Sequence, residues 1–174
     1  YEFTDSEYFK TWNSLVHSDR LSQLLDRYNI SLLFYLHASM QQYADKFSTG
    51  NEKIVIGHAK DYDVQQLLME SAVLITDYSS IYFDFAYMKK PLLYYQFDYD
   101  KYRRGQYQEG YYTYAKDGFG EVATTEDVLL NGLEIILKGD LVMPEKYSIR
   151  ADDFFAYHDT NNCERTYQAI LQMK

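Results

Sequence analysis

Four short apolar runs constrain this chain more than any other feature. They are residues 30–37 (ISLLFYLH), 53–58 (KIVIGH), 72–76 (AVLIT) and 91–96 (PLLYYQ). Each is continuous rather than alternating, the pattern of a strand covered on both faces. Helical signals separate them. Residues 39–47 form a short helix, 63–71 a helix capped by Asp61 or Asp63, and 79–88 another. Two helices occupy residues 5–28: Asp5 or Ser6 caps the first, and Ser18 the second, whose apolar face is Leu21, Leu24, Leu25 and Tyr28. Residues 97–120 read as one long Tyr- and Gly-rich loop. Thr124 or Thr125 then caps a helix to about Leu137, Pro144 starts another, and 160–172 form the last. Strand and helix alternate four times. That predicts right-handed crossovers and an α/β fold, a parallel sheet with helices on both faces. The 174 residues suffice for one domain with its own core, so the sheet is expected to fold unaided.

Composition excludes several functions. The net charge of −9 and the lack of a basic cluster argue against nucleic acid binding and against adhesion of this segment to an anionic membrane. A single cysteine, Cys163, leaves no internal disulfide and fits a reducing cytoplasm. No Cys or His cluster suggests a metal site, and no cofactor motif is evident. No apolar stretch approaches 18 residues, so no membrane span is expected. The chain opens without an initiator Met, which is the expectation for a piece of something longer. With 20 Tyr and 10 Phe, many rings must sit half-buried or line a groove.

In an open parallel sheet, ligands bind beyond the carboxyl ends of the strands. Three such ends here are polar: His37, His58, and Thr76-Asp77 followed by Ser79-Ser80. The stretch LITDYSSIYFDF (74–85) runs from strand to helix. Free N–H groups and the helix dipole there favour an anion, and hydroxyls add donors. Asp84 follows about one helical turn after Ser80. A simple helix cap by Asp77 or Ser79 explains the same residues, and a lone histidine at a strand end is more often structural than functional. YYQFDYDKY (94–102) is either a base-stacking wall or a loop pinned to the sheet.

The stretch LLMESAVLITDYSSIYFDFAYMKKPLLYYQFDYDKYR (67–103) closely resembles the signature of the CDP-glycerol glycerophosphotransferase family. The similarity extends upstream through FYLHASMQQY and downstream through QEGYYTYAKDGFGEVATTEDVL and NNCERTYQAI, about residues 30–172. Ala72 departs from the family's usual Asp. The resemblance implies a Rossmann-like domain, the C-terminal, donor-binding half of a GT-B type enzyme, spanning 1–174. That enzyme moves glycerol phosphate from CDP-glycerol to a teichoic-acid-like or capsular polymer and releases CMP. Ser79 and Ser80 would hold the diphosphate, Asp77 would orient their turn, and Asp84 would touch glycerol or phosphate. His37 would act catalytically at the scissile phosphoanhydride, and Arg103 or Arg104 would add positive charge; no role follows for His58. The implied partners are CDP-glycerol, the acceptor polymer and the enzyme's N-terminal half. That missing half would carry the general base, so the isolated segment should bind donor weakly without transferring it. It would also carry any association with the inner face of the bacterial membrane. CDP-ribitol as donor, a nucleotide-sugar glycosyltransferase and a non-catalytic binding module stay open.

Overall fold

A computed structural model describes residues 2–106 and 110–173; Gln108 and Glu109 of the downstream resemblance lie outside them. α1 (Glu7–Val16) and α2 (Asp19–Arg27) come first, and their caps are Ser6 and Ser18, whose hydroxyls accept from Phe9 N and Leu21 N. β1 (Leu32–Tyr35) leads into a 3-10 helix (Ala38–Lys46), and β2 (Ile54–Gly57) follows. Asp63 caps α3 (Val64–Glu70) through Gln66 N at 2.9 Å. Then come β3 (Leu74–Thr76), α4 (Ile81–Tyr87) and β4 (Leu92–Tyr95). The expected loop at 97–120 instead holds α5 (Tyr99–Gln106) and α6 (Tyr114–Asp117), and Glu121–Ala123 is a fifth strand, β5. α5 is dominated by charged residues without an apolar stripe, and three residues are too few to show a strand's pattern. α7 (Glu126–Lys138), α8 (Glu145–Phe154) and α9 (Asn162–Gln172) complete the chain.

All strand pairs are parallel, as expected, but the ladder is not one sheet. β1 pairs β2 with Leu32 opposite Ile54, while β4 lies between β3 and β5, with Ile75 opposite Leu93 and Tyr94 opposite Val122. Among the described residues no backbone hydrogen bond joins β1 to β3.

Side-chain alternation along β4 separates two cores. Leu93 and Tyr95 pack with α1, α2, the 3-10 helix and α7 around Trp12, Leu21, Leu25 and Leu130. Leu92 and Tyr94 pack with α4 and α8 around Phe85, Phe119 and Tyr147, and Leu68 of α3 joins from the rim. Each such apolar side chain contributes about 1.5–3 kcal/mol by leaving water. Lys90 stitches the second layer: its ammonium donates to the carbonyls of Leu68, Met69 and Ser71 at 3.0, 2.5 and 2.9 Å, closing the C-terminus of α3. Gly120 lies so close to β4 that a Cβ would run into the Leu92 carbonyl oxygen.

Candidate functional site

The carboxyl ends of β1 and β3 open onto one cavity of about 560 Å³. His37, Asp77, Ser79 and Ser80 line its mouth, so the structure brings these four sequence candidates together.

The turn after β3 is held by its neighbours. Gln96, buried at the end of β4, donates from Nε2 to the Asp77 carbonyl at 3.1 Å. The Asp77 carboxylate accepts from Tyr78 N at 2.6 Å. The Tyr78 hydroxyl donates to Asp98 Oδ1 at 2.8 Å, and its ring stacks on Tyr102 of α5 at 3.6 Å. Burial, and then the bond to Asp98, push the Tyr78 phenol well above its usual range, so it stays a donor.

These fixtures leave the serines unused. The N-cap position of α4 is Ser80, which makes no side-chain cap bond; of the two residues expected to cap, the Asp77 carboxylate bonds instead to Tyr78 N, and the Ser79 hydroxyl has no protein partner among the described residues. Among the described residues, neither hydroxyl of Ser79 and Ser80 nor the N–H groups of Ser79, Ser80 and Ile81 has a protein partner. Ser79 is half-buried and Ser80 exposed, so both are open to solvent and ligand.

His37 caps the 3-10 helix. Its Nδ1 accepts from Ser39 N at 3.3 Å and lies 2.9 Å from Ser39 Oγ. With Nδ1 accepting, the neutral ring carries its proton on Nε2, a donor available to an anionic oxygen.

The other candidates lie apart from this mouth. Asp84 lines a separate shallow depression with Phe83, Tyr87 and Phe155, because the cavity wall along α4 stops at Ile81. Arg103 sits on α5, donates to the Tyr99 hydroxyl at 3.0 Å and lies over that ring; Arg104 is exposed. Neither arginine lines the cavity. His58 ends β2 and lies 3.8 Å from Asp45. Among the described residues no three His, Cys, Asp or Glu side chains group to hold a metal ion, and no helix is long and apolar enough to cross a membrane.

Sequence reasoning missed Tyr8 and Trp12 of α1. Both line the cavity. Burial, and then the carboxylates of Asp77 and Asp98, push the Tyr8 phenol far up, which keeps it protonated beside the turn. Trp12 is buried, and its Nε1 has no partner among the described residues. Their one-turn spacing marks a shared helix face, but no sequence signal says which strand end that face covers. Gln96 and Asp98 were findable, since they terminate the fourth apolar run as His37 terminates the first.

A family model described as CDP-Glycerol:Poly(glycerophosphate) glycerophosphotransferase matches residues 2–172. The minor teichoic acid biosynthesis protein GgaB of Bacillus subtilis (strain 168) is 37% identical over 172 residues, 99% of this chain and 18% of that protein. The teichoic acid poly(glycerol phosphate) polymerase of the same strain is 28% identical over 167 residues, 84% of this chain and 21% of that protein. A structure of the wall teichoic acid polymerase TagF superposes with a TM-score of 0.67 at 26% identity, covering 90% of this chain and 37% of that one. The chain thus spans about a fifth of the length of these curated relatives.

Proposed function

We propose, for a chain that belongs to the CDP-glycerol:poly(glycerophosphate) glycerophosphotransferase family, that it is the donor-binding domain of a transferase acting on CDP-glycerol. The whole enzyme moves glycerol phosphate to the terminal hydroxyl of a growing poly(glycerol phosphate) chain and releases CMP. The observation that carries this reading is that the unpaired donors of Ser79 and Ser80 line the same cavity as His37, in a chain matched by that family from residue 2 to 172.

The chemistry follows from what the mouth offers. The hydroxyls of Ser79 and Ser80 and the adjacent N–H groups hold oxygens of the β-phosphate. Asp77, fixed by Gln96 and Tyr78, sets the direction of those donors. The acceptor oxygen bonds to the β-phosphorus, the bond from that phosphorus to the bridging oxygen breaks, and the electron pair leaves with CMP. His37 Nε2–H faces the oxygen on which charge develops. The acceptor's proton passes to a base outside this chain, in the N-terminal half. Arg103 and Arg104 stand on α5, stacked against the turn through Tyr102, and meet the outer face of the donor. The Asp84 contact with glycerol or phosphate implied by the family resemblance has no support in this arrangement.

Titration of the chain with CDP-glycerol, CDP-ribitol, UDP-glucose and CMP, followed by NMR, tests the reading. A dissociation constant on the order of 1 mM, roughly −4 kcal/mol, is expected for CDP-glycerol, with amide shifts centred on residues 76–82. Ser79→Ala/Ser80→Ala should weaken it about tenfold or more. Shifts confined to α8 and α9, or tighter binding of UDP-glucose, overturn the assignment.

A further inference from the structure

We propose that the Tyr8 hydroxyl is a further donor of this site, bonding to a diphosphate oxygen of the bound nucleotide from the sheet face opposite Ser79 and Ser80. The proposal rests on the reading of the mouth as a nucleotide-diphosphate site.

α1 brings Tyr8 to the mouth from its own side. Tyr8 lines the same cavity as His37, Asp77, Ser79 and Ser80. The serines stand at the start of α4, which packs in the core around Phe85. Tyr8 packs with Trp12 in the core on the other side of β4. An anion held at Ser79 and Ser80 therefore meets α4 on one side and α1 on the other.

Several contacts fix that placement. The Tyr8 ring lies 6.4 Å from Phe97, the residue between Gln96 and Asp98, which brace the serine turn. It lies 6.3 Å from each of Phe3 and Trp12. Glu7, its chain neighbour, pairs with Lys101 of α5, and Tyr102 of α5 stacks on Tyr78. The first turn of α1 and the serine turn are thus tied to one helix. Their separation is set before a ligand arrives, so little freedom is lost on binding.

The hydroxyl has no structural use. The carboxylates of Asp77 and Asp98 are near enough to act on it, yet they accept from Tyr78 N and the Tyr78 hydroxyl instead. Among the described residues the Tyr8 hydroxyl has no hydrogen-bond partner, although the side chain is half-buried. Withdrawing such a group from water without a partner costs free energy. A phenylalanine would fill the slot between Phe3, Trp12 and Phe97 without that cost. A ligand oxygen at the mouth accounts for the hydroxyl.

Its chemistry suits a phosphate. Burial, then Asp77, then Asp98 keep the phenol protonated, and an arriving phosphate acts in the same direction. A lysine in this place would be drawn to the two carboxylates, whereas a neutral O–H stays available. Its bond to a charged oxygen is about twice as strong as one between neutral groups.

Tyr8→Phe removes the hydroxyl and keeps the ring. The parent chain, Tyr8→Phe and Ser79→Ala/Ser80→Ala are titrated with CDP-glycerol, inorganic pyrophosphate and cytidine, followed by NMR, and each chain is melted. Tyr8→Phe should melt within about 1 °C of the parent or above it, since no internal bond is lost. It should bind CDP-glycerol and pyrophosphate roughly 10-fold more weakly, as loss of a donor to a charged group predicts. Cytidine should shift both chains alike. Parent-like affinity for the two phosphate ligands overturns the proposal, as does a melt several degrees lower or an equal loss with cytidine. If only the serine variant loses affinity, the Tyr8 assignment fails alone. If the parent binds pyrophosphate at residues 76–82 and not CDP-glycerol, the substrate reading fails alone, and the Tyr8 effect is read on pyrophosphate. A parent that binds neither overturns both.

Discussion

Replacing Lys90 by methionine removes one ammonium and keeps most of the side chain's length. The stem still packs near the Phe85 ring, over which Nζ now sits at 5.4 Å. Lost are the three bonds to the carbonyls of Leu68, Met69 and Ser71. A hydrogen bond to a charged group contributes about 1.5–3 kcal/mol, but these three share one donor group and water can reach Met69. The net loss should be about 2–3 kcal/mol, of which the helix-end charge interaction supplies up to about 1 kcal/mol. For a domain of this size that lowers Tm by about 5–10 °C. Circular dichroism melts measure it, and exchange of the α3 amides should rise alongside. Lys90→Arg keeps the charge but cannot converge a planar fork on three carbonyls, so it should fall between. A Tm within about 1 °C of the parent for Lys90→Met would refute the reasoning, since the ammonium would then be solvated rather than structural.

Three further outcomes are expected. Gly120→Ala forces β5 away from the Leu92 carbonyl and should cost about 1–3 kcal/mol in urea unfolding, whereas Gly50→Ala, with open space around it, should be near neutral. Gln96→Leu leaves the Asp77 carbonyl without its donor; about 1–3 kcal/mol of stability should go, and with it much of the CDP-glycerol affinity. Asp159 is held down to about 2, first by Arg165 and then by Asn161 N. Its folded value lies below its unfolded one, so its clamp on Arg165 is fully present above about pH 4 and lost as pH falls through about 2. An NMR titration of the Arg165 side chain should show that acid transition in the parent and not in Asp159→Asn.

Strand ends were legible because burial on both faces forces an unbroken apolar run, and its polar terminus is then conspicuous. His37 and the Asp77–Ser80 turn were found this way and do share one rim. Position along a helix was less informative. Asp84 follows Ser80 by one turn, yet that turn also advances it along the axis, past the cavity and over the connection between α8 and α9. The break between β1 and β3 was invisible to sequence reading. An apolar parallel strand carries no residue code for its neighbour, so four runs are compatible with a continuous sheet and with an interrupted one. β5 was lost in a segment whose dominant signals are tyrosine and charge.

The placement of a carboxylate and two hydroxyls at a strand–helix junction now has a physical account. A cap would have used a hydroxyl to satisfy the first turn of α4, leaving little to offer a ligand. Here Asp77, Gln96, Tyr78 and Asp98 carry the internal bonds of the turn, and among the described residues the serine hydroxyls carry none. The unpaired donors cost little while water reaches them at the mouth. An incoming phosphate then meets groups already aimed, so less conformational freedom is lost on binding. Rigidity comes from β4 through Gln96 and Asp98, not from β3 alone. Among the described strands, the one that supports the turn is buried throughout, with Leu92, Leu93, Tyr94 and Tyr95 all in the core. A site held this way should keep its geometry even where the sheet beside it stands open.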